Sequence, residues 1–154
     1  MRVWRLCKKA HAVFDGEGAR RAGGRWNRRG TSVVYASQSL SLAALELLVH
    51  ADPLLLPGDL VAIPADVPDA LRLESIATDE LPRDWRRYPA PEALADRGSD
   101  WARGGRSAVL SVPSAIVPQE RNFLLNPAHP DFRRIRTGKP EPFDFDGRLK
   151  PSLR

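Results

Sequence analysis

Glu46 is the only charged residue in the stretch from Leu40 to Val49. A carboxylate in an otherwise apolar helix is either solvated, paired with His50 one turn on, or partly buried and in need of a partner or a chemical task. The segment GGRWNRRGTSVVYAS, residues 23–37, sets three arginines beside a glycine pair and leads into an apolar strand with one tyrosine. Glycines let a backbone approach a ligand closely. Arg25, directly after them, is either a surface loop residue or a guanidinium fork suited to phosphate or a carboxylate. Tyr35 is either a core tyrosine with its hydroxyl at the surface or a flat wall for a planar heterocycle. Arg5, in VWRLC, is a charge between apolar neighbours, so it should face a polar cavity or meet a carboxylate. Ser114, in VPSAIVP, is a hydroxyl in an apolar run and alone says little.

Several chemistries have no support. There is one cysteine, Cys7, and three scattered histidines, His11, His50 and His129, which gives neither an internal disulfide nor a metal-ligand set. No Walker loop, G-x-S-x-G elbow, H-E-x-x-H pair or dinucleotide glycine fingerprint occurs, and GEGARRAG (16–23) follows no convincing strand. The N-terminal MRVWRLCKKAH has no apolar signal core, and no apolar run approaches the roughly 20 residues of a membrane helix. A cytoplasmic protein without membrane attachment is the expectation. The net charge is +5, with 24 lysines and arginines of which four are lysine. That balance admits a nucleic acid, a phosphate-bearing small molecule or an acidic protein as partner.

The elements that must position these residues follow from periodicity and capping. Strands are expected at 2–6, 31–37, 58–67, 70–75, 122–127, 132–136 and 142–146, with two β runs over 107–118 around Pro113. A helix is expected at 40–51, capped by Ser39 or Ser41 and stopped by Asp52-Pro53. On it Leu42, Leu45 and Val49 share one face and Ala43, Glu46 and His50 another, and the near-absence of charge predicts cover all round. Short helices are expected within 82–88 and 91–105, and irregular chain over 7–31. Without βαβ alternation, the 154 residues read as one α+β domain with a tail after about 147 left free to move.

Taken in order, WR at 4–5, GGRWNRRGTSVVYAS at 23–37, SLAALELLVH at 41–50, VPSAIVPQERNFLLNPAHPDF at 112–132 and FDFDGRL at 143–149 resemble the RES-domain proteins. Residues 66–106 carry no landmark of that family. The resemblance implies an ADP-ribosyltransferase-like fold, a split β-sheet core with short helices similar to that of diphtheria toxin. It implies a bacterial toxin that degrades NAD⁺ at the nicotinamide–ribose bond, as a glycohydrolase or phosphorylase, or that transfers ADP-ribose to a protein. NAD⁺ is then substrate, and no prosthetic group or metal is called for. An Xre-type helix-turn-helix antitoxin is the implied partner, with inorganic phosphate or a protein as further acceptors and a homodimer as the implied assembly. By position, the family's arginine is Arg25, its tyrosine Tyr35, its glutamate Glu46, its serine Ser114 and its early arginine Arg5. An aromatic found after that early arginine in some relatives is Leu6 here. Glu46, Arg25 and Ser114 are the expected catalytic residues. Arg5, Arg25, Tyr35 and Ser114 are expected on the substrate, Ser114 holding the ribose or the nicotinamide amide, with Asn27 and Asn122 as helpers. Arg28 and Arg29 are expected to face solvent or an acidic antitoxin. A non-catalytic nucleic-acid or protein-binding module, using the basic RRIRTGK at 133–139, is the competing reading; the overlapping FRRIR at 132–136 alternates like a protected edge strand.

Overall fold

The computed structural model describes residues 1–52 and 56–149. In chain order the elements are β1 (Arg2–Lys8), α1 (Glu17–Ala22), β2 (Val34–Ser37), α2 (Leu40–Leu48), β3 (Leu60–Asp66), β4 (Leu73–Ser75), α3 (Glu92–Gly104), β5 (Val109–Pro113), β6 (Arg121–Leu125), β7 (Arg136–Thr137) and β8 (Glu141–Phe143). The strands form one sheet in the order β4-β5-β6-β2-β1-β3-β7, with β8 also on β3. The β4–β5 pair is parallel and the other pairs are antiparallel.

The sheet is nearly divided in two. β1 pairs with β3 over seven residues, from Arg2↔Asp66 to Lys8↔Leu60, and β2 pairs with β6 over four, from Val34↔Leu125 to Ser37↔Asn122. Between these wings β1 and β2 share the single register pair Trp4↔Ser37. This is the expected α+β, ADP-ribosyltransferase-like arrangement, and α2 packs across the seam against both strands. Ser39 caps α2 by accepting from Leu42 N at 3.1 Å.

Strand alternation sends neighbouring side chains to opposite faces. Val34, Ala36, Val109, Phe123 and Leu125 join Val3, Ala65 and Ile135 in one apolar cluster, while Tyr35, Leu110, Val112 and Leu124 join Trp26, Trp85 and the α3 residues Leu94, Trp101 and Ala102 in the other. α3 therefore covers the face that carries Tyr35. Its approach is close: a Cβ on Gly98 would lie 1.9 Å from the Trp26 carbonyl oxygen. Segment 66–106, without a family landmark, supplies this helix.

Five expectations are corrected. The stretch 7–31 is not all irregular, because Asp15 accepts from Glu17 N, Glu17 pairs with Arg20 and Arg21, and Gly23 at φ +73° ends the resulting helix. Residues 82–88 turn rather than form a helix, flanked as they are by Pro82 and Pro89. The second β run after Pro113 is a turn, since the Ser114 hydroxyl accepts from Ile116 N and Val117 N. FRRIR begins as a 3₁₀ turn started by Pro130, and only Arg136–Thr137 joins the sheet, at its edge. The α2 helix is shorter than 40–51 and is not covered all round, for Leu45 and Val49 are exposed. Pro53 and the chain end from 150 lie outside the described residues.

Candidate active site

A cavity of about 970 Å³ opens at the seam. That is at the upper end of the range of small-molecule sites, roughly 300–1,000 Å³. β1 contributes Arg5, β2 contributes Tyr35 and Ser37, α2 contributes Ala43 and Glu46, the turn after it contributes His50, and the loop after α1 contributes Gly24 and Arg25. Asn27 and Asn122 also reach it. Of the expected site residues only Ser114 stays off its wall.

The floor is a hydrogen-bonded chain that ends on Glu46. Ser37 Oγ donates to Asn122 Oδ1 at 2.7 Å, which turns the Asn122 amide so that Nδ2 donates to Glu46 Oε1. Ser114 Oγ donates to the same oxygen at 2.8 Å. Because Ser114 also accepts two backbone N–H groups, its proton is directed to the carboxylate. Among the described residues no hydrogen bond reaches Oε2, so the side chain is fixed through one oxygen and presents the other. The expectation that Ser114 holds a ribose or an amide is thereby corrected: it is fully buried and acts on Glu46. Asn122 likewise positions Glu46, and Ser37, which sequence reasoning missed, positions Asn122.

Tyr35 inverts the tyrosine usual at a strand end. Its ring lines the cavity while its hydroxyl is buried under the glycine loop, donating to Asn27 Oδ1 at 2.8 Å and accepting from Trp26 N at 3.0 Å. Burial pushes its phenol well above the ordinary range. Gly24 lies directly over the hydroxyl: a Cβ there would sit 2.7 Å from it. That glycine makes room for the tyrosine hydroxyl as well as lining the cavity, a second role the sequence reading did not give it. The Asn27 amide donates to the carbonyls of Ala19, Arg28 and Thr31, so its polar atoms hold the loop and do not face a ligand.

Arg25 is half-buried, and desolvation lowers its pKa while nearby Glu46 offsets part of that. Its guanidinium donates to the carbonyls of Trp85 at 2.6 Å and Arg87 at 3.2 Å, and so ties the 82–91 strap to the cavity wall. Arg5 lies 5.8 Å over the Phe14 ring, and its Nη2 reaches His11 O at 3.4 Å. Its Nε is buried with no hydrogen-bond partner, while the residue as a whole lines the cavity. Arg28 departs from expectation: it pairs with Glu92 and Asp96 of α3 and clamps the loop to that helix. Arg29 is exposed, with Nε near Ala22 O at 3.4 Å. Among the described residues no group of three or more His, Cys, Asp or Glu could hold a metal ion. No described helix is long and apolar enough to cross a membrane.

An oriented carboxylate below two guanidinium groups and an aromatic wall can grip an anionic ligand and stabilise positive charge developing at its far end. Comparison with known proteins finds relatives that match this chain over nearly its whole length. The chain is 40% identical over 152 residues to the Prs ADP-ribosylating toxin of Sphingobium sp. strain YBL2, covering 95% of this chain and 94% of that one. It is 35% identical over 153 residues to Toxin Res of Yersinia enterocolitica, covering 97% of this chain and all of that one. In structure it is similar to a chain of the M. tuberculosis MbcT-MbcA toxin-antitoxin complex, with a TM-score of 0.73, 19% identity, and coverage of 92% of this chain and 83% of that one. The RES domain family model matches residues 2–146, so the chain belongs to the RES domain family.

Proposed function

We propose that this protein is the toxin of a toxin–antitoxin pair and that it cleaves NAD⁺ at the nicotinamide–ribose bond. The observation that carries the reading is Glu46, held through Oε1 by Ser114 and Asn122 at the base of a cavity lined by Arg5, Arg25 and Tyr35. Breaking the C–N bond builds positive charge on the ribose, as in other glycosyl transfers. Glu46 Oε2 stabilises that charge or takes the ribose 2′-hydroxyl. Its position costs no reorganisation at the moment of reaction, because Oε1 is already anchored. Arg25 and Arg5 take the pyrophosphate, and the Tyr35 ring forms a wall for nicotinamide. Nicotinamide leaves as a neutral molecule and takes the bonding electron pair, so this scheme assigns no metal or prosthetic group.

The acceptor is water, inorganic phosphate or a protein side chain, all served by one NAD⁺ site. The relative named as an ADP-ribosylating toxin favours the protein acceptor as a second reading. The binding-module alternative has less support: Arg133, Arg134 and Arg136 share their shallow cavity with Asp66 and Asp69, which breaks up the basic surface. The implied antitoxin would fill the cleft beside Arg25. The experiment is product identification from NAD⁺ with and without phosphate, and with a cell extract as a source of acceptor protein. Nicotinamide release in any arm supports the reading, and its absence in all three refutes it.

A further inference from the structure

Tyr88 is the one aromatic among the exposed large hydrophobic residues described, at 81% exposure, and it lines the cavity mouth. Its ring lies 6.2 Å from that of His50 at an interplanar angle of 53°. His50 follows Glu46 by four residues on and just past α2, about 6 Å along the chain axis. The strap that carries Tyr88 is fixed from three sides. Trp85 is buried in the core beneath it, Arg25 donates to its carbonyls at Trp85 and Arg87, and Arg86 Nε donates to Ala115 O at 2.9 Å. A strap held this way presents Tyr88 from an already ordered backbone, which lowers the cost of stacking a flat ligand on its ring.

From these observations we infer that Tyr88 and His50 form a purine-ring subsite at the cavity mouth, a function assigned to neither residue by the sequence landmarks. The inference rests on the NAD⁺ reading for the direction of the ligand. Half-buried Glu46 and half-buried Arg25 lie close enough to interact, and Arg25 in turn bonds the strap at Arg87 beside exposed Tyr88, which gives the order Glu46, Arg25, Tyr88 along the cavity wall. A dinucleotide runs in the same order from the reacting ribose, through pyrophosphate, to the adenine. The adenine takes no part in the bond cleavage and tolerates one solvated face, which suits a rim with one open side. Nicotinamide must stay within bonding distance of the ribose carbon beside Glu46, where Tyr35 already supplies a wall. Arg25 links the two parts, because the group that faces the pyrophosphate also fixes the strap.

The test is titration calorimetry with AMP, ribose 5-phosphate and nicotinamide mononucleotide on the wild type, Tyr88→Ala, Tyr88→Trp and His50→Ala, alongside NAD⁺ kinetics. AMP affinity should fall about tenfold in Tyr88→Ala, the scale of one lost base–aromatic stack, and less in His50→Ala. Tyr88→Trp should restore it. Ribose 5-phosphate should bind the variants equally, and for NAD⁺ the loss should appear in KM rather than kcat. Equal AMP affinity in wild type and Tyr88→Ala overturns the inference, as does no AMP binding to the wild type or a loss confined to nicotinamide mononucleotide. If AMP binding depends on Tyr88 while NAD⁺ is not cleaved, the subsite stands and the cleavage reading fails. If NAD⁺ is cleaved with the same KM in Tyr88→Ala, cleavage stands and the subsite fails.

Discussion

Asn122→Ala removes one of the two donors on Glu46 Oε1 and leaves Ser37 Oγ without its acceptor. A hydrogen bond to a charged group contributes about 2 kcal/mol, and 1.36 kcal/mol is tenfold in rate. With Glu46 held only by Ser114, kcat for nicotinamide release should fall about 30-fold by that arithmetic. Ser37→Ala removes a bond between neutral groups, about 1 kcal/mol or roughly fivefold in rate. The two losses should not multiply. Ser37 reaches Glu46 only by turning the Asn122 amide, so the double variant should stay near 30-fold down, against about 150-fold for independent groups. The assay is steady-state nicotinamide release from NAD⁺, with thermal denaturation of each variant to separate lost activity from lost fold. A double variant at the multiplied value, or Asn122→Ala within threefold of wild type, would refute the relay.

Other consequences concern the loop and its supports. Gly24→Ala should lower both Tm and activity, because its methyl meets the Tyr35 hydroxyl at 2.7 Å; in a Tyr35→Phe background the same substitution should cost much less. Gly98→Ala should destabilise by about 3 kcal/mol in urea unfolding, the upper end for overpacking, since backbone rather than a flexible side chain blocks the added carbon. A buried Tyr35 phenol keeps its proton in the folded chain while the unfolded chain loses it near 10.0. The unfolded state then binds fewer protons, so stability is intact below pH 10 and falls above it. Tyr35→Phe should flatten that fall in urea melts taken from pH 8 to 11.

Residue types raised Glu46, Arg25, Arg5 and Tyr35 only as candidates beside bland alternatives, and the resemblance gave them their roles. Periodicity found β1, β2, α2, α3 and β6 because each has an apolar face that must be buried. What sequence could not show was which hydroxyl proton points where. The role of Ser114 depends on two backbone N–H groups that occupy its acceptor side, and these are set by a turn that reads as a strand in VPSAIVP. The contact of Gly24 with the Tyr35 hydroxyl gave no signal because the two are eleven residues apart in sequence. Ser37 gave no signal, since its importance lies in a cross-strand partner, Asn122, that only the β2–β6 register brings opposite. The 82–91 strap was hidden for a similar reason: a short polar segment between prolines says nothing of the arginine that holds its carbonyls.

The central claim is that the Glu46 carboxylate stabilises cleavage of a glycosidic bond in NAD⁺. Its most direct test is nicotinamide release by purified wild type and by Glu46→Gln, which keeps size and hydrogen bonding and removes the charge. Release by the wild type and a fall of about a hundredfold or more in Glu46→Gln, the scale for a lost charge-stabilising group, is the expected result. Equal rates in the two proteins, or a wild type that leaves NAD⁺ intact under every acceptor condition, would contradict it.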